Sequence, residues 1–360
     1  MTAGDGRLLG VVAMAAQGPE DPSFRIRVAL PGRALASHGV ALREMPLFSA
    51  GQVARFRGAR PVGKAAILAR ARQRLRRELC ELDGGLDTVL VQCRVDLAPS
   101  LALERAASEG RRLIYDIDDA VWLSGRQTEG HVLSFLKGAA RKVRWLAERA
   151  DHVIAGSEIL AEHLGRYADA ITVVPSIVDP ATYAVREHSQ APAITLGWIG
   201  SPTTARYLDD LAPVLERFAR QAARPVRLVV VGGAAPTLRQ VEVDQRRWSP
   251  EAERGALAEM DIGLMPLKDT HWTRGKCAYK ALQYMASGVP PLVSNVGVSA
   301  AVVGDAGFAA SDDGQWLEGL HALALDASLR AQKGVVGRHR VERDFSYARW
   351  IPTLGQIIRS

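Results

Sequence analysis

The chain has 360 residues, 48% hydrophobic and 24% charged, with a formal net charge of +7 at pH 7. A chain of that size and apolar share has enough core-forming residues for two ordinary domains, and it contains no run of about eighteen apolar residues that would span a membrane. Three scattered cysteines, Cys80, Cys93 and Cys277, have neither CxxC spacing nor histidine partners nearby, which excludes a disulfide framework and the usual zinc sites.

The opening stretch from Met1 to Ala16 lacks the basic leader and long apolar core of an export signal, so the expected location is cytoplasmic. Leu8 to Ala13 is the first predicted strand. Ser23-Phe-Arg-Ile-Arg27 follows it and makes Arg25 and Arg27 candidates for contacting an anionic acceptor or donor phosphates. The segment from Arg55 to Arg77 holds nine basic residues and no acidic one. Leu68, Ala71, Leu75, Leu79 and Leu82 recur there at three- and four-residue steps, predicting a helix with an apolar stripe and an arginine-rich outer face. The plain reading of that face is solvation. The sharper one is attraction to an acidic substrate or to anionic lipid, giving peripheral contact with the inner membrane face. Nucleic acid is not an expected partner, because only Phe56 interleaves with these arginines.

Runs rich in Val, Ile and Leu continue the first series at Thr88 to Val91, Arg112 to Ile117, His152 to Ala155 and Ile171 to Val174. Arg94 lies just past the second of its strands and is a weaker candidate for an anionic acceptor. Asp116, Asp118 and Asp119 crowd the end of the third. Three close carboxylates repel, so one is expected to have a raised pKa and to receive or orient an acceptor proton. The alternative is that one caps a helix and another is buried against an arginine. Val178 to Pro192 has two prolines and no periodicity and reads as a linker, with the domain boundary near residue 190. A second series follows at Ile194 to Ile199, Val226 to Val231, Ile262 to Met265, Pro291 to Ser294 and Phe308 to Ala309. Two such series, alternating with helical patterns, predict an α/β protein of two doubly wound parallel sheets. The expected domains are 1–190 and 191–342, with residues 343–360 a last helix crossing back onto the first domain.

Ligands of such folds sit beyond the carboxyl ends of the strands, here in the expected cleft between domains. Gly200-Ser-Pro-Thr-Thr204 and Gly232-Gly233 follow strands of the second series. No GxGxxG turn follows the first strand, where Ala13 to Gly18 stands, which argues against a dehydrogenase-like cofactor enzyme. The most informative segment runs from His271 to Pro290 and reads as a loop entering a helix. Thr273 is the expected cap, Gly275 a point of close backbone approach, and Gly288 with Pro290 the end. Lys276, Lys280 and Gln283 lie at steps of four and three, so one helix face would carry two ammonium groups near a helix N-terminus, suited to a diphosphate. Only seven lysines stand in the chain, and two of them are here.

This helix resembles the donor helix of the GT4 family of retaining glycosyltransferases, which have the GT-B fold: two Rossmann-like domains facing a central cleft. The resemblance extends along the chain through Tyr115-Asp-Ile-Asp-Asp-Ala-Val-Trp122, Val153-Ile-Ala-Gly-Ser-Glu158, Val173-Val-Pro-Ser-Ile-Val-Asp179, Gly197-Trp-Ile-Gly-Ser201, Val229-Val-Val-Gly-Gly233 and Asp261-Ile-Gly-Leu-Met-Pro-Leu267. It implies donor diphosphate and sugar contacts at Gly200, Ser201, Arg206, Arg274, Gly275, Lys276, Lys280 and Gln283. It implies nucleotide-base contacts at Gly232, Arg247 and Trp248; Trp248 also reads as an ordinary buried aromatic. Asp118, Asp119 and Lys276 are the candidate catalytic residues, and Arg25, Arg27, Arg94 and Asp116 the candidate acceptor residues.

Two departures matter. The family usually places one glutamate just before the donor helix and another eight residues later, where this chain has Gly275 and Gln283. Gln283 retains an amide that can hydrogen-bond a ribose or sugar hydroxyl. The activity implied is a retaining transfer from a UDP- or GDP-sugar to a small-molecule, saccharide or lipid-linked acceptor, with no cofactor and no metal. The alternatives are a nucleotide-sugar-binding protein with altered catalysis and a different two-domain nucleotide enzyme.

Overall fold

A computed structural model describes residues 8–82, 86–123 and 138–360. The chain forms two compact units, one of Met1–Ser176 with Trp350–Ser360 and one of Ile177–Arg349.

The first unit is built on a six-stranded parallel sheet of β1 (Leu9–Met14), β2 (Val40–Glu44), β3 (Thr88–Gln92), β4 (Arg112–Ile117), β5 (His152–Ala155) and β6 (Ile171–Val173), in the order β2-β1-β3-β4-β5-β6. Side chains alternate across a strand, so each strand feeds two cores. Val12, Met14, Val89, Val91, Leu113 and Tyr115 pack on one face with Leu75, Leu103 and Leu146 from the covering helices. Val11, Ala13, Leu90 and Ile114, the alternate residues of the same strands, are buried as well. Burial on both faces is why these strands read as near-continuous apolar runs.

The second unit repeats the plan with β7 (Ile194–Ile199), β8 (Val226–Val231), β9 (Val241–Arg246), β10 (Ile262–Met265), β11 (Pro291–Ser294) and β12 (Phe308–Ala310), all parallel, in the order β12-β11-β10-β7-β8-β9. Leu228 and Val230 join a core with Trp198, Phe218 and Leu264. Val229 and Val231 join another with Met260 and Tyr284. The ten strands anticipated from apolar runs are present to within a residue or two, and β2 and β9 are additional.

The segment expected to be a linker belongs to the second unit, and the division falls at residue 176 rather than near 190. Its backbone is tied down along its length. Val178 exchanges main-chain hydrogen bonds with Phe345 and Tyr347 at 2.9 and 3.1 Å, and the Arg186 amide donates to the Ser287 carbonyl at 2.8 Å. The buried Arg330 donates to the Ser189 carbonyl at 2.8 Å. A lack of periodicity therefore marked irregular but anchored chain, not free chain. The last helix, Tyr347–Arg359, starts in the second unit and finishes in the first. Arg112 donates there to the carbonyls of Ile357 and Ile358 at 2.8 and 2.7 Å, satisfying two of the acceptors a helix end leaves open.

The arginine-rich segment forms helices Gln52–Gly58 and Pro61–Cys80, the second burying Ala71, Leu75 and Leu79. Two of its arginines serve the fold: Arg72 pairs with the buried Asp96 at 2.9 Å, and Arg74 donates to the carbonyls of Pro46 and Leu47 at 2.8 and 2.9 Å. Arg55, Arg57, Arg60, Arg70, Arg76 and Arg77 remain exposed.

Candidate functional site

In a doubly wound sheet the crevice opens where strand order reverses. In the second unit this is between β7 and β10. The chain leaving β7 turns at Gly200 into the twenty-residue helix Pro202–Gln221, and the chain leaving β10 leads to the helix Tyr279–Ala286. The topology thus brings Lys280 to the N-terminus of the first of these helices. Its Nζ lies 3.4 Å from Thr204 Oγ1 in the first turn and 5.1 Å above the Trp198 ring. A Cβ at Gly200 would stand 2.6 Å from Lys280 Cε, so glycine is what lets the lysine stem cross there. Ser201 holds the N-cap position but directs its hydroxyl to Thr203 Oγ1 at 2.8 Å, and no side chain caps that first turn. An uncapped N-terminus of a long helix beside an ammonium group stabilises an anion through both dipole and charge.

Gly232 follows β8 in the left-handed conformation, φ +86°, and a Cβ there would lie 2.4 Å from the Gly200 carbonyl oxygen and 3.0 Å from Trp248 Cβ. Gly232→Ala is expected to cost at least about 1–2 kcal/mol from the backbone conformation alone and to push Gly200 out of place. A variant that melts and binds nucleotide like the wild type would contradict this. Trp248 is half-buried against the Val229 and Val231 core, and its indole N–H donates to Glu253 Oε2 at 2.8 Å. Gln283, 4% exposed, donates its amide to Glu253 Oε1 at 2.7 Å. Glu253, on the helix Pro250–Glu259, was not among the expected site residues. The nearest signal is Ser249-Pro-Glu-Ala-Glu253, which reads only as a helix start.

Several expectations are corrected. Lys276 is not on the helix that carries Lys280 and Gln283: a short helix, His271–Arg274, ends at Gly275, and the next begins at Tyr279. Lys276 lies in the turn between them with its Nζ 5.7 Å above the Trp272 ring. Ala278 breaks the helix with φ +52°, a conformation that costs a non-glycine residue on the order of 1–3 kcal/mol. The cap is Thr270, with Thr273 completing a reciprocal capping box. Gly275 has an ordinary φ of −78°; the close approach to this turn is at Gly297, whose Cβ would stand 2.4 Å from the Arg274 carbonyl oxygen. Arg274 is exposed and engaged in a two-pronged pair with Asp269 at 2.7 and 2.8 Å. Arg206 is exposed and donates to the Tyr207 hydroxyl at 3.2 Å, and Arg247 is exposed.

In the first unit strand order reverses between β1 and β3. The chain after β1 forms Pro22–Phe24 and a π-helical turn, Arg25–Ala29. Arg27 points inward from that turn and grips Asp116 with Nε to Oδ1 at 3.1 Å and Nη2 to Oδ2 at 2.6 Å, while its Nη1 donates to the carbonyls of Val174 and Pro175 at 2.9 and 2.8 Å. Of the three clustered aspartates, Asp116 is pushed up by burial; Arg27 opposes the rise and Asp118 adds to it. Arg27 and Asp116, expected to meet an acceptor, are instead buried against each other. Asp118 is half-buried and accepts from Ser23 Oγ at 2.6 Å, Gln92 Nε2 at 3.0 Å and Cys93 Sγ at 3.3 Å. Cys93 sits at φ +56°, and burial, reinforced by Asp118, pushes its thiol well above the ordinary range. Asp119 directly follows this group. Arg94 is partly buried beyond β3, where burial pulls its pKa down, and Arg25 lies nearer the surface, donating to the Pro19 carbonyl at 3.4 Å. Among the described residues no group of three His, Cys, Asp or Glu side chains is arranged to hold a metal ion, and no helix is long and apolar enough to cross a membrane.

Residues 193–326 match the family described as glycosyl transferases group 1. No curated protein matches the chain. Among solved structures it is similar to sucrose-phosphate synthase from Thermosynechococcus elongatus, with 14% identity, TM-score 0.70, and coverage of 97% of this chain and 98% of that one. It is also similar to HepE of Anabaena in complex with UDP and glucose, with 14% identity, TM-score 0.63, and 98% of each chain covered. TarM gives a TM-score of 0.59 at 13% identity over 76% of this chain, which spans 54% of TarM's own length.

Proposed function

We propose that this chain, whose residues 193–326 match the glycosyl transferases group 1 family and whose two units have the GT-B fold, transfers a sugar from a nucleoside-diphosphate sugar with retention of configuration and without a metal ion. The carrying observation is Lys280, held at the uncapped N-terminus of the helix Pro202–Gln221 beside Gly200. There the ammonium and the helix dipole balance the charge that develops on a departing diphosphate, which is the largest electrostatic demand of the reaction. Trp248 and Gly232 serve the nucleoside side. A uridine nucleotide is the donor favoured, since HepE, similar over its whole length, is seen with UDP and glucose.

In this reading Asp118, with Asp119 next to it, orients the incoming group of a saccharide, small-molecule or lipid-linked acceptor. The acceptor enters from the face the nucleoside diphosphate leaves, through an oxocarbenium-like transition state, and the protein contributes mainly alignment and charge stabilisation. The exposed arginines of the first unit offer a contact face to an anionic acceptor or an anionic membrane surface. Thermal unfolding against UDP, GDP, dTDP and ADP in EDTA tests the donor reading. The matching nucleotide at 100 times its dissociation constant is expected to add about 2.7 kcal/mol of stability. No shift with any of the four would end the assignment.

A further inference from the structure

On the first unit, the turn that leaves β3 and the helices Ala102–Ser108 and Ala139–Arg149 border a surface cavity of about 670 Å3. Its lining includes Ser100, Arg105, Arg141, Arg144, Trp145 and Glu148, so three guanidiniums face one carboxylate. Arg141, Trp145 and Glu148 recur at steps of four and three, with Arg144 four before Glu148, and one helix face carries all four. Arg144 is taken up by Glu148 at 2.7 Å. Arg105 stands 5.9 Å over the half-buried Trp145 ring and Arg141 donates to the Pro99 carbonyl at 2.5 Å, yet among the described residues neither meets a carboxylate. Behind the cavity wall lies a buried ion pair, Lys142 with Glu104 at 2.8 Å. Lys142 also donates to the Ser100 carbonyl, and Glu104 accepts from the Asp96 amide at 2.9 Å. Breaking such a pair strands a charge in the core. The two helices and the turn are therefore held in one arrangement, and the cationic wall is built in advance of a ligand.

We propose that this cavity holds the anionic group of an acidic saccharide acceptor, with Arg105 and Arg141 gripping a carboxylate or phosphate and the Trp145 indole meeting the sugar beside it. The proposal rests on the transferase reading above and names its acceptor class. A guanidinium presents a fork of N–H groups that matches either anion. The indole adds apolar surface and an N–H that has no hydrogen-bond partner among the described residues. Position supports the assignment. The helix Ala102–Ser108 follows β3 and the helix Ala139–Arg149 leads into β5, so both begin at the carboxyl end of the sheet, where ligands of doubly wound folds sit and where Asp118 follows β4. Cys93, the first residue of the turn after β3, touches Asp118 at 3.3 Å, and Ser100, further along that turn, lines the cavity. The arginine-rich helix is the rival seat for such an anion. It ends at Cys80 and leads into the start of β3, which puts Arg76 and Arg77 at the opposite end of the sheet.

The test is calorimetric binding to the full chain at about 0.15 M salt, where charges more than about 8 Å away are largely screened. One arm sets a glucuronate-bearing tetrasaccharide against its carboxyl-reduced form, and the other sets a maltotetraose phosphate against maltotetraose. The charged member of at least one pair is expected to bind about tenfold tighter or more, because hydrogen bonds to charged groups are among the stronger ones. The arm that discriminates names the anion. Arg105→Gln/Arg141→Gln, both exposed, should melt like the wild type, lose that preference and bind UDP unchanged. Arg254→Gln/Arg343→Gln, exposed on the second unit, removes the same charge and should keep the preference. Equal affinities within both pairs overturn the proposal. So does a preference that survives in Arg105→Gln/Arg141→Gln, or one that disappears in Arg76→Gln/Arg77→Gln instead. Inorganic phosphate binding as tightly as the phosphorylated sugar would mean an adventitious ion only, and overturns it as well. Loss of UDP binding in a chain that still prefers the acidic saccharide would remove the donor reading and leave this cavity with its ligand.

Discussion

Lys280→Ala is expected to lower kcat/KM for the nucleotide-sugar donor about a hundredfold to a thousandfold, the range found when one preorganised donor to developing charge is removed. The reason is position. Lys280 emerges from a helix, is stacked over Trp198, reaches Thr204, and passes over a glycine that alone leaves room for it. Its ammonium therefore needs little reorganisation when the diphosphate departs. Lys276→Ala, in the turn that precedes that helix, should reduce turnover more than donor affinity, on the order of a hundredfold if it too acts as a preorganised donor. Arg274→Ala should change the rate little, because that side chain is exposed and its guanidinium is engaged by Asp269. Steady-state kinetics on the three variants separates them. A rate for Lys280→Ala within a few-fold of the wild type would refute the central placement of this lysine, and a large loss in Arg274→Ala would show that the Asp269 pair opens for substrate.

The contrast between these residues shows what was legible in the sequence. Eight of the ten readable strands are buried on both faces, so the apolar run is uninterrupted; the other two, β6 and β12, are edge strands that keep short apolar runs. The two that escaped, β2 and β9, are sheet edges. Edge strands are half-solvated and tolerate charge, and β9 carries Asp244 and Arg246, which pair with each other and with Arg227 and Glu259. Such a run imitates a polar loop. Lys280 and Gln283 were readable because both sit on one continuous helix. Lys276 was misplaced because helical spacing was extended through Ala278, whose left-handed backbone no propensity would suggest. Glu253 was invisible: its role arises only from meeting Trp248 and Gln283 in space, and one of those contacts crosses thirty residues. The resemblance to a known family pointed to missing carboxylates at positions 275 and 283, and the fold sets the Glu253 carboxylate against Gln283.

The Arg27–Asp116 pair, expected at first to meet substrate, makes the last prediction, because its burial at 3% and 4% side-chain exposure gives a large and asymmetric effect. Asp116→Ala leaves a guanidinium that cannot lose its proton inside the first unit, and should cost about 3–5 kcal/mol at any pH near neutrality. Arg27→Met leaves a carboxylate, and a carboxylate can escape by taking up a proton. Burial already raises Asp116 with Arg27 present, and without the arginine the rise must be larger. A folded-state pKa above the unfolded one means that the folded state holds the proton more tightly, so stability falls as pH climbs from the unfolded towards the folded pKa and stays low beyond it. Arg27→Met should therefore be most destabilised at neutral pH and recover on acidification, whereas Asp116→Ala should not. Replacing both residues by apolar ones removes both charges, yet still leaves the carbonyls of Val174 and Pro175 without the donor they now share, so a residual cost of about 1–3 kcal/mol is expected. Hydrogen exchange of β1 and β4 amides between pH 5 and 8 reads the first unit alone. Parallel pH profiles for the two single variants would refute this account, and would return Arg27 and Asp116 to the list of residues that wait for an acceptor rather than hold the framework around Asp118.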